Sequence, residues 1–181
     1  MRAGKINTQG IISADTWERI YDNILTEAAT SLTISGLAGD TDEEYQLQAR
    51  IVNGYNGSSE YRLRPNNDTG TNYGYQYLIG SNTAATAARG TDTGIYIGGI
   101  DALGNLLQDE IKLQAKSGYI RTAIQENASP ISGTTITNVK LLGWSWNNTA
   151  DEITSLVIVS SQTNGLGIGT QITLWRRSKK V

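Results

Sequence analysis

"YQLQARIVNGYNGSSEYRLRP", residues 45 to 65, decides the fold. Its first eight residues set Tyr45, Leu47, Ala49 and Ile51 against Gln46, Gln48 and Arg50, a period of two that fits a strand with one buried face. "NGYNGSSE" (53–60) then supplies Asn and Gly, which accept the positive φ of tight turns, and predicts a connection between neighbouring strands. "YRLRP" alternates again until Pro65, which has no N–H to give a ladder.

The same grammar extends outward. "NYGYQYLI" (72–79) resumes the alternation and puts Tyr73, Tyr75 and Tyr77 on one strand face, with Asn72, Gly74 and Gln76 on the other. "SLTISGL" (31–37), "IYIGGI", "DEIKLQAK", "YIRTAIQE", "TTITNVKLLGWSW", "EITSLVIVSS" and "TQITLW" read as further strands. Two segments resist the pattern. "SADTWERIYDNIL" (13–25) fits a helix capped by Asp15, with Trp17, Ile20, Tyr21 and Ile24 at helical spacing, and it also fits a strand. "SNTAATAARGTDTG" (81–94) is small, polar and aperiodic, and predicts a long exposed loop. Short strands at intervals of about 8 to 12 residues, without a convincing long helix, predict an all-β fold, an antiparallel β-sandwich of jelly-roll type. The expected organisation is an extended N-terminal arm (1–12), one sandwich domain (13–176) and a basic C-terminal tail (177–181).

Composition narrows the function. The 181 residues include no histidine and no cysteine, which removes the commonest general base, the commonest zinc ligand and every thiolate site. A net charge of −2 gives no basic face for nucleic acid. No apolar run approaches the ~18 residues that cross a bilayer, and no apolar stretch follows "MRAGKINTQG", so synthesis in the cytoplasm and no membrane partner are expected.

The remaining candidates are weighed by chemistry. Asp40, Asp42, Glu43 and Glu44 cluster without the spacing of a calcium loop and predict a solvated turn. Asp109 and Glu110 are adjacent, so a strand points them to opposite faces and they cannot form an acid/base pair. "GLGIG" (165–169) lacks a nucleotide-loop context and predicts a bend before the last strand. No catalytic, cofactor-binding or metal-binding set emerges, and the expectation is a protein that is not an enzyme and needs no cofactor. Trp144 and Trp146 share parity and are expected to cap the core. The tyrosine row fits either a core ladder or a binding face. With Arg64, Asn66 and Trp175, the residues Tyr73, Tyr75 and Tyr77 make up the candidate interface.

A resemblance adds to this reading. "W..I" followed by "SLTISGLAGDTDEEYQLQARIVN", then "YRLRPNNDTGTNYGYQY", then "ITSLVIVSSQTNGLGIGTQITLW", resembles a group of tailed-bacteriophage virion structural proteins over roughly residues 15 to 176. In that group a tryptophan segment leads to a strand ending in "isGL", a D-x-x-Y turn follows, then "R.N.D...NY.Y", then a closing strand that tends to contain tyrosine. Here Trp175 and a basic tail stand at that end. The resemblance implies a jelly-roll protein of the virion, most simply a capsid decoration (cement) protein that bridges major-capsid subunits, or a head-fibre or tail component. It also implies a homotrimer matched to threefold positions. The alternative it leaves is a carbohydrate- or receptor-binding module of a tail or head fibre.

Overall fold

The structure, a computed structural model, describes residues 17–177. The arm over 1–12 and the tail beyond Arg177 lie outside the described residues. Twelve strands follow one another: β1 (Trp17–Ile24), β2 (Ser31–Ser35), β3 (Glu44–Val52), β4 (Ser59–Pro65), β5 (Tyr73–Ser81), β6 (Ala84–Asp92), β7 (Ile95–Ile100), β8 (Leu106–Gln114), β9 (Arg121–Ser132), β10 (Thr135–Trp146), β11 (Ser155–Ser160) and β12 (Gln171–Arg177). A single helical turn, α1 (Gly39–Asp42), precedes β3. All strand pairs are antiparallel, in an eight-stranded sheet ordered β1-β12-β3-β8-β9-β10-β5-β6 and a four-stranded sheet ordered β2-β11-β4-β7.

Nested pairing makes this a jelly roll. Take β2, β3, β4, β5, β6, β7, β8 and β11 in chain order: the first pairs with the last, the second with the seventh, the third with the sixth, and the fourth with the fifth. The β9–β10 hairpin is inserted between β8 and β5 within the large sheet, and β12 and β1 extend that sheet past β3. Between the sheets lies the core. Tyr45, Leu47, Ala49 and Ile51 of β3 point inward as their alternation predicts, and meet Tyr61 and Leu63 of β4, Ile95 and Ile97 of β7, and Leu156 and Ile158 of β11. Trp144 and Trp146 are buried on the inner face of β10.

Two local expectations are corrected, and one that the sequence left open is decided. Of the two readings open for 13–25, the strand holds: residues 17–24 form β1. A register shift between Arg19 and Tyr21 bulges the strand, so Ile20 and Tyr21 both pack on the core while Trp17 lies beside Arg177, and this broken parity imitates a helical period. The 81–94 segment is no loop: Ala84–Asp92 is strand β6, laddered to β5 from Ser81↔Ala84 to Tyr73↔Asp92. Both faces of its first five residues are exposed, so there is no apolar period to read. The turn at 53–60 does not join neighbours; it carries the chain from the large sheet to the small one. Asn53 fixes it, donating to Gly57 O at 2.8 Å and accepting from the Tyr61 hydroxyl at 3.2 Å. Gly54 lies so close to Gly167 that an added Cβ would stand 2.8 Å from its Cα, which is why "GLGIG" bends here. The last strand runs through Arg177, the first residue of the segment read as the basic tail.

Candidate functional site

The tyrosine row is inner-facing. Tyr73 is fully buried, stacks on Trp146 with centroids 6.2 Å apart, and donates to Asp68 O at 3.2 Å. Asp68 also accepts from the Trp146 indole at 2.8 Å. Tyr73 is therefore core and leaves the candidate interface. Arg64 and Asn66 serve the fold as well. Arg64 donates to Thr93 O at 2.9 Å; Asn66, at φ +51°, donates to Glu152 O at 2.7 Å and accepts from Thr154 N at 2.9 Å. Trp175 is half-buried on the outer face of the large sheet between its cross-strand neighbours Arg19 and Gln46, so it does not seal the sandwich.

Tyr75 and Tyr77 remain half-exposed. They stack on each other at 5.8 Å, and Tyr75 meets the Trp144 ring at 5.2 Å. With Tyr96, Leu142, Glu60, Arg62 and Asp92 they line a cleft of about 210 Å³ where the β5–β6 hairpin overhangs the edge of the small sheet. Arg62 closes one side, paired with Asp92 at 2.9 Å and Glu60 at 3.0 Å. The Tyr96 ring lies between the Arg62 guanidinium, 5.5 Å away, and the Lys140 ammonium, 5.2 Å away. Burial pushes the Tyr96 phenol up to about 12. Among the described residues, the hydroxyls of Tyr75, Tyr77 and Tyr96 have no hydrogen-bond partner.

Behind the cleft sits a buried polar group that the sequence did not reveal. Asp109 is 1% exposed; its Oδ1 accepts from the Gln125 amide at 2.9 Å, and its Oδ2 has no partner among the described residues. Burial holds its carboxyl well above the usual aspartate range, against the opposing pull of Gln125, Asn127 and Lys140. Burial likewise lowers the Lys140 ammonium. Gln125 also accepts from the Trp144 indole at 2.6 Å and donates to Tyr96 O, tying both sheets together. Glu110 takes the opposite face as expected, accepting from Gln48 at 3.2 Å.

The acidic cluster at 40–44 is not the expected solvated turn. Asp42 is buried and accepts from the Tyr45 hydroxyl at 2.7 Å and from Arg176; Glu44 is buried against Arg177. Asp40 accepts from Ser117 N at 2.6 Å, which lowers its carboxyl. Among the described residues no group of three or more Asp and Glu side chains is arranged to hold a metal ion.

The outer face of the large sheet divides in two. Over β3 and β8 it presents Gln46, Gln48, Arg50, Gln108, Glu110 and Lys112. Over β9, β10, β5 and β6 it presents four cross-strand rows: Thr122–Ser145–Gly74–Thr91, Ile124–Gly143–Gln76–Arg89, Glu126–Leu141–Leu78–Ala87 and Ala128–Val139–Gly80–Ala85. Leu78, Ile124, Val139 and Leu141 are between 50% and 59% exposed on this surface. Two shallow troughs cross it, one of about 660 Å³ along Leu78, Gly80, Ala128, Val139 and Leu141 that reaches Gln108 and Glu110 of β8, and one of about 730 Å³ over Gly74, Gly143 and Ile124. Sequence reasoning missed these residues because it read "NVKLLGWSW" as one strand signal. The doublet Leu141–Leu142 was the available sign, since adjacent strand residues occupy opposite faces and only one of them reaches the core.

No family model, curated protein or solved structure matches this chain.

Proposed function

We propose that this chain is a non-enzymatic structural component of a tailed-phage particle, a decoration protein that docks on the capsid shell through the outer face of β9, β10, β5 and β6. The observation that carries this reading is the contiguous exposed apolar floor around Leu78, Val139 and Leu141. A sheet face that only met water would carry polar side chains, as the β3–β8 half does, whereas exposed contiguous apolar surface marks an interface. Glycine in a strand interior admits close approach by a partner. Repetition of a modest contact over a shell gives the particle added cohesion without any single tight site.

Co-sedimentation with capsid shells of the phage that carries this chain tests the proposal. The chain should pellet with shells, and Leu141→Asp should lower the bound fraction about tenfold or more, because it places a charge at the centre of an apolar contact. Failure of the wild-type chain to bind shells overturns the decoration reading. Equal binding by Leu141→Asp removes the outer face from it.

A second reading rests on the cleft. Tyr75, Tyr77 and Tyr96 offer free phenol hydroxyls beside an apolar floor, chemistry suited to a neutral sugar, since Arg62 is already neutralised by Glu60 and Asp92. Quenching of tryptophan fluorescence by glucose, galactose, mannose or N-acetylglucosamine, lost in Tyr77→Phe, supports it. A flat titration with all four sugars removes it.

A further inference from the structure

The sheet edges of this molecule are unlike one another. β1 ends the large sheet with Glu18, Arg19 and Asp22 and a bulge between Arg19 and Tyr21. In the small sheet, β2 has five residues, and β7 pairs with β4 through a register shift at Tyr61/Arg62. Shortness, charge and bulges are the devices that stop a sheet edge from recruiting another strand. β6 is neither short nor bulged, and its charged residues, Arg89 and Asp92, stand only in its C-terminal half. It is nine residues long, keeps unbroken register with β5, contains no proline, and carries no charge from Ala84 to Ala88, where both faces are exposed. Among the described residues no strand pairs with its outer side.

We propose that β6 is a pairing edge, and that its occupant is β6 of a second copy of this chain, joined antiparallel about a two-fold axis at Thr86. A two-fold pair sets each strand against itself, so an ionised residue at the centre would face its like. With the axis at Thr86, Ala84 to Ala88 face one another as neutral small residues, and Arg89 falls opposite Thr83 of the second copy. The segment is thus self-complementary in charge and size. Continuity points to the same occupant. The outer rows Leu141–Leu78–Ala87 and Val139–Gly80–Ala85 stop at the free side of β6, and a second copy carries both rows on with identical side chains into one unbroken floor. A strand of different composition would interrupt it. The paired rows make one sheet of twice the eight strands.

Sedimentation of the full chain from micromolar to hundreds of micromolar tests the pairing. A species of twice the 19.6 kDa chain mass is expected. Thr86→Lys and Thr86→Glu, each checked for a wild-type circular dichroism spectrum, should weaken association at least about tenfold by setting like charges directly opposite. An equimolar mixture of the two variants should restore the two-copy species. Monomer throughout the range, a three-copy species, an assembly that persists in Thr86→Lys, or a mixture that stays monomeric each overturns the proposal.

Discussion

The two faces of strand β10 carry neighbouring residues with opposite duties. Leu142 is 3% exposed on the face that meets the small sheet, and Leu141 is 50% exposed on the opposite, outer face of the large sheet. Both are leucines, one bond apart in sequence. The inner face of the large sheet is largely apolar along β3, β8, β10 and β12, with Asp109 and Lys140 among its charged members, because the second layer covers it. The outer face is free to vary, and it does so by halves, polar over β3 and β8, and mixed over β9 to β6, where Leu78, Ile124, Val139 and Leu141 stand exposed among glycines and polar residues. The inner pattern therefore reports the fold, and the departure from expectation on the outer face reports what the fold is for.

Substitutions can break or sharpen this contrast. Trp146→Ala should cost the most, about 3–5 kcal/mol in urea-induced unfolding, because the ring is fully buried, stacked on Tyr73, bonded to Asp68 and covered by the Arg121 guanidinium 5.1 Å away. Next comes Leu142→Ala at about 2–4 kcal/mol, set beside Leu141→Ala at under about 0.5 kcal/mol. Equal costs for the two leucines would erase the distinction between the faces. Trp175→Ala, half-buried on the outer face, should cost about 1–2 kcal/mol, and a value above 3 would show that the outer face contributes to the core after all.

The smallest effect is a dependence on pH. The carboxyl of Asp109 titrates higher in the folded chain than its usual value of about 3.9, so over that window the native state holds the proton that the unfolded chain has released. Stability from this group is complete below the unfolded value and is lost as pH rises toward the folded one. Asp109→Asn should flatten the pH profile above about 4, and it should not destabilise the protein at neutral pH, since the amide oxygen still accepts from Gln125. A variant whose slope matches that of the wild type would contradict the assignment, because the difference between the two profiles isolates this group from the lowered carboxyls such as Asp40. Lys140 and Glu110 are the charged groups that act on Asp109.

Much of the fold was legible in the sequence, because burial leaves a period of two. Tyr45 to Ile51 and Trp144 with Trp146 could be assigned to a face by counting. What failed or stayed open had physical causes. β6 is held by its ladder to β5 rather than by side-chain burial, so nothing in Ala84 to Ala88 alternates. β1 is bulged, and one extra residue turns a strand period into a helical one. Of the expected interface, Tyr75 and Tyr77 border an open cleft, while Tyr73, Arg64 and Asn66 bind their own chain. Strand parity told which tyrosines share a face but not where along that face the second layer stops. The packing of Asp109 with Gln125 and Tyr96 joins residues of three strands, and no local spacing encodes it.

Nested pairing also sets a timetable for folding. Ser81 faces Ala84, 3 positions on; Leu63 faces Ile95, 32 on; Tyr45 faces Leu113, 68 on; and Ser35 faces Ser155, 120 on. Each inner closure shortens the loop that the next must close, so the cheapest order runs from the β5–β6 hairpin outward. Hairpins form in about 1–10 μs, whereas a chain dominated by distant pairings folds in milliseconds to seconds. During that interval β5 shows Tyr75 and Tyr77 without the core that later packs against them. A chain emerging from the ribosome cannot finish its outermost pair until β11 is made, so the β5–β6 hairpin, first to close, waits for the second layer that will border its tyrosines.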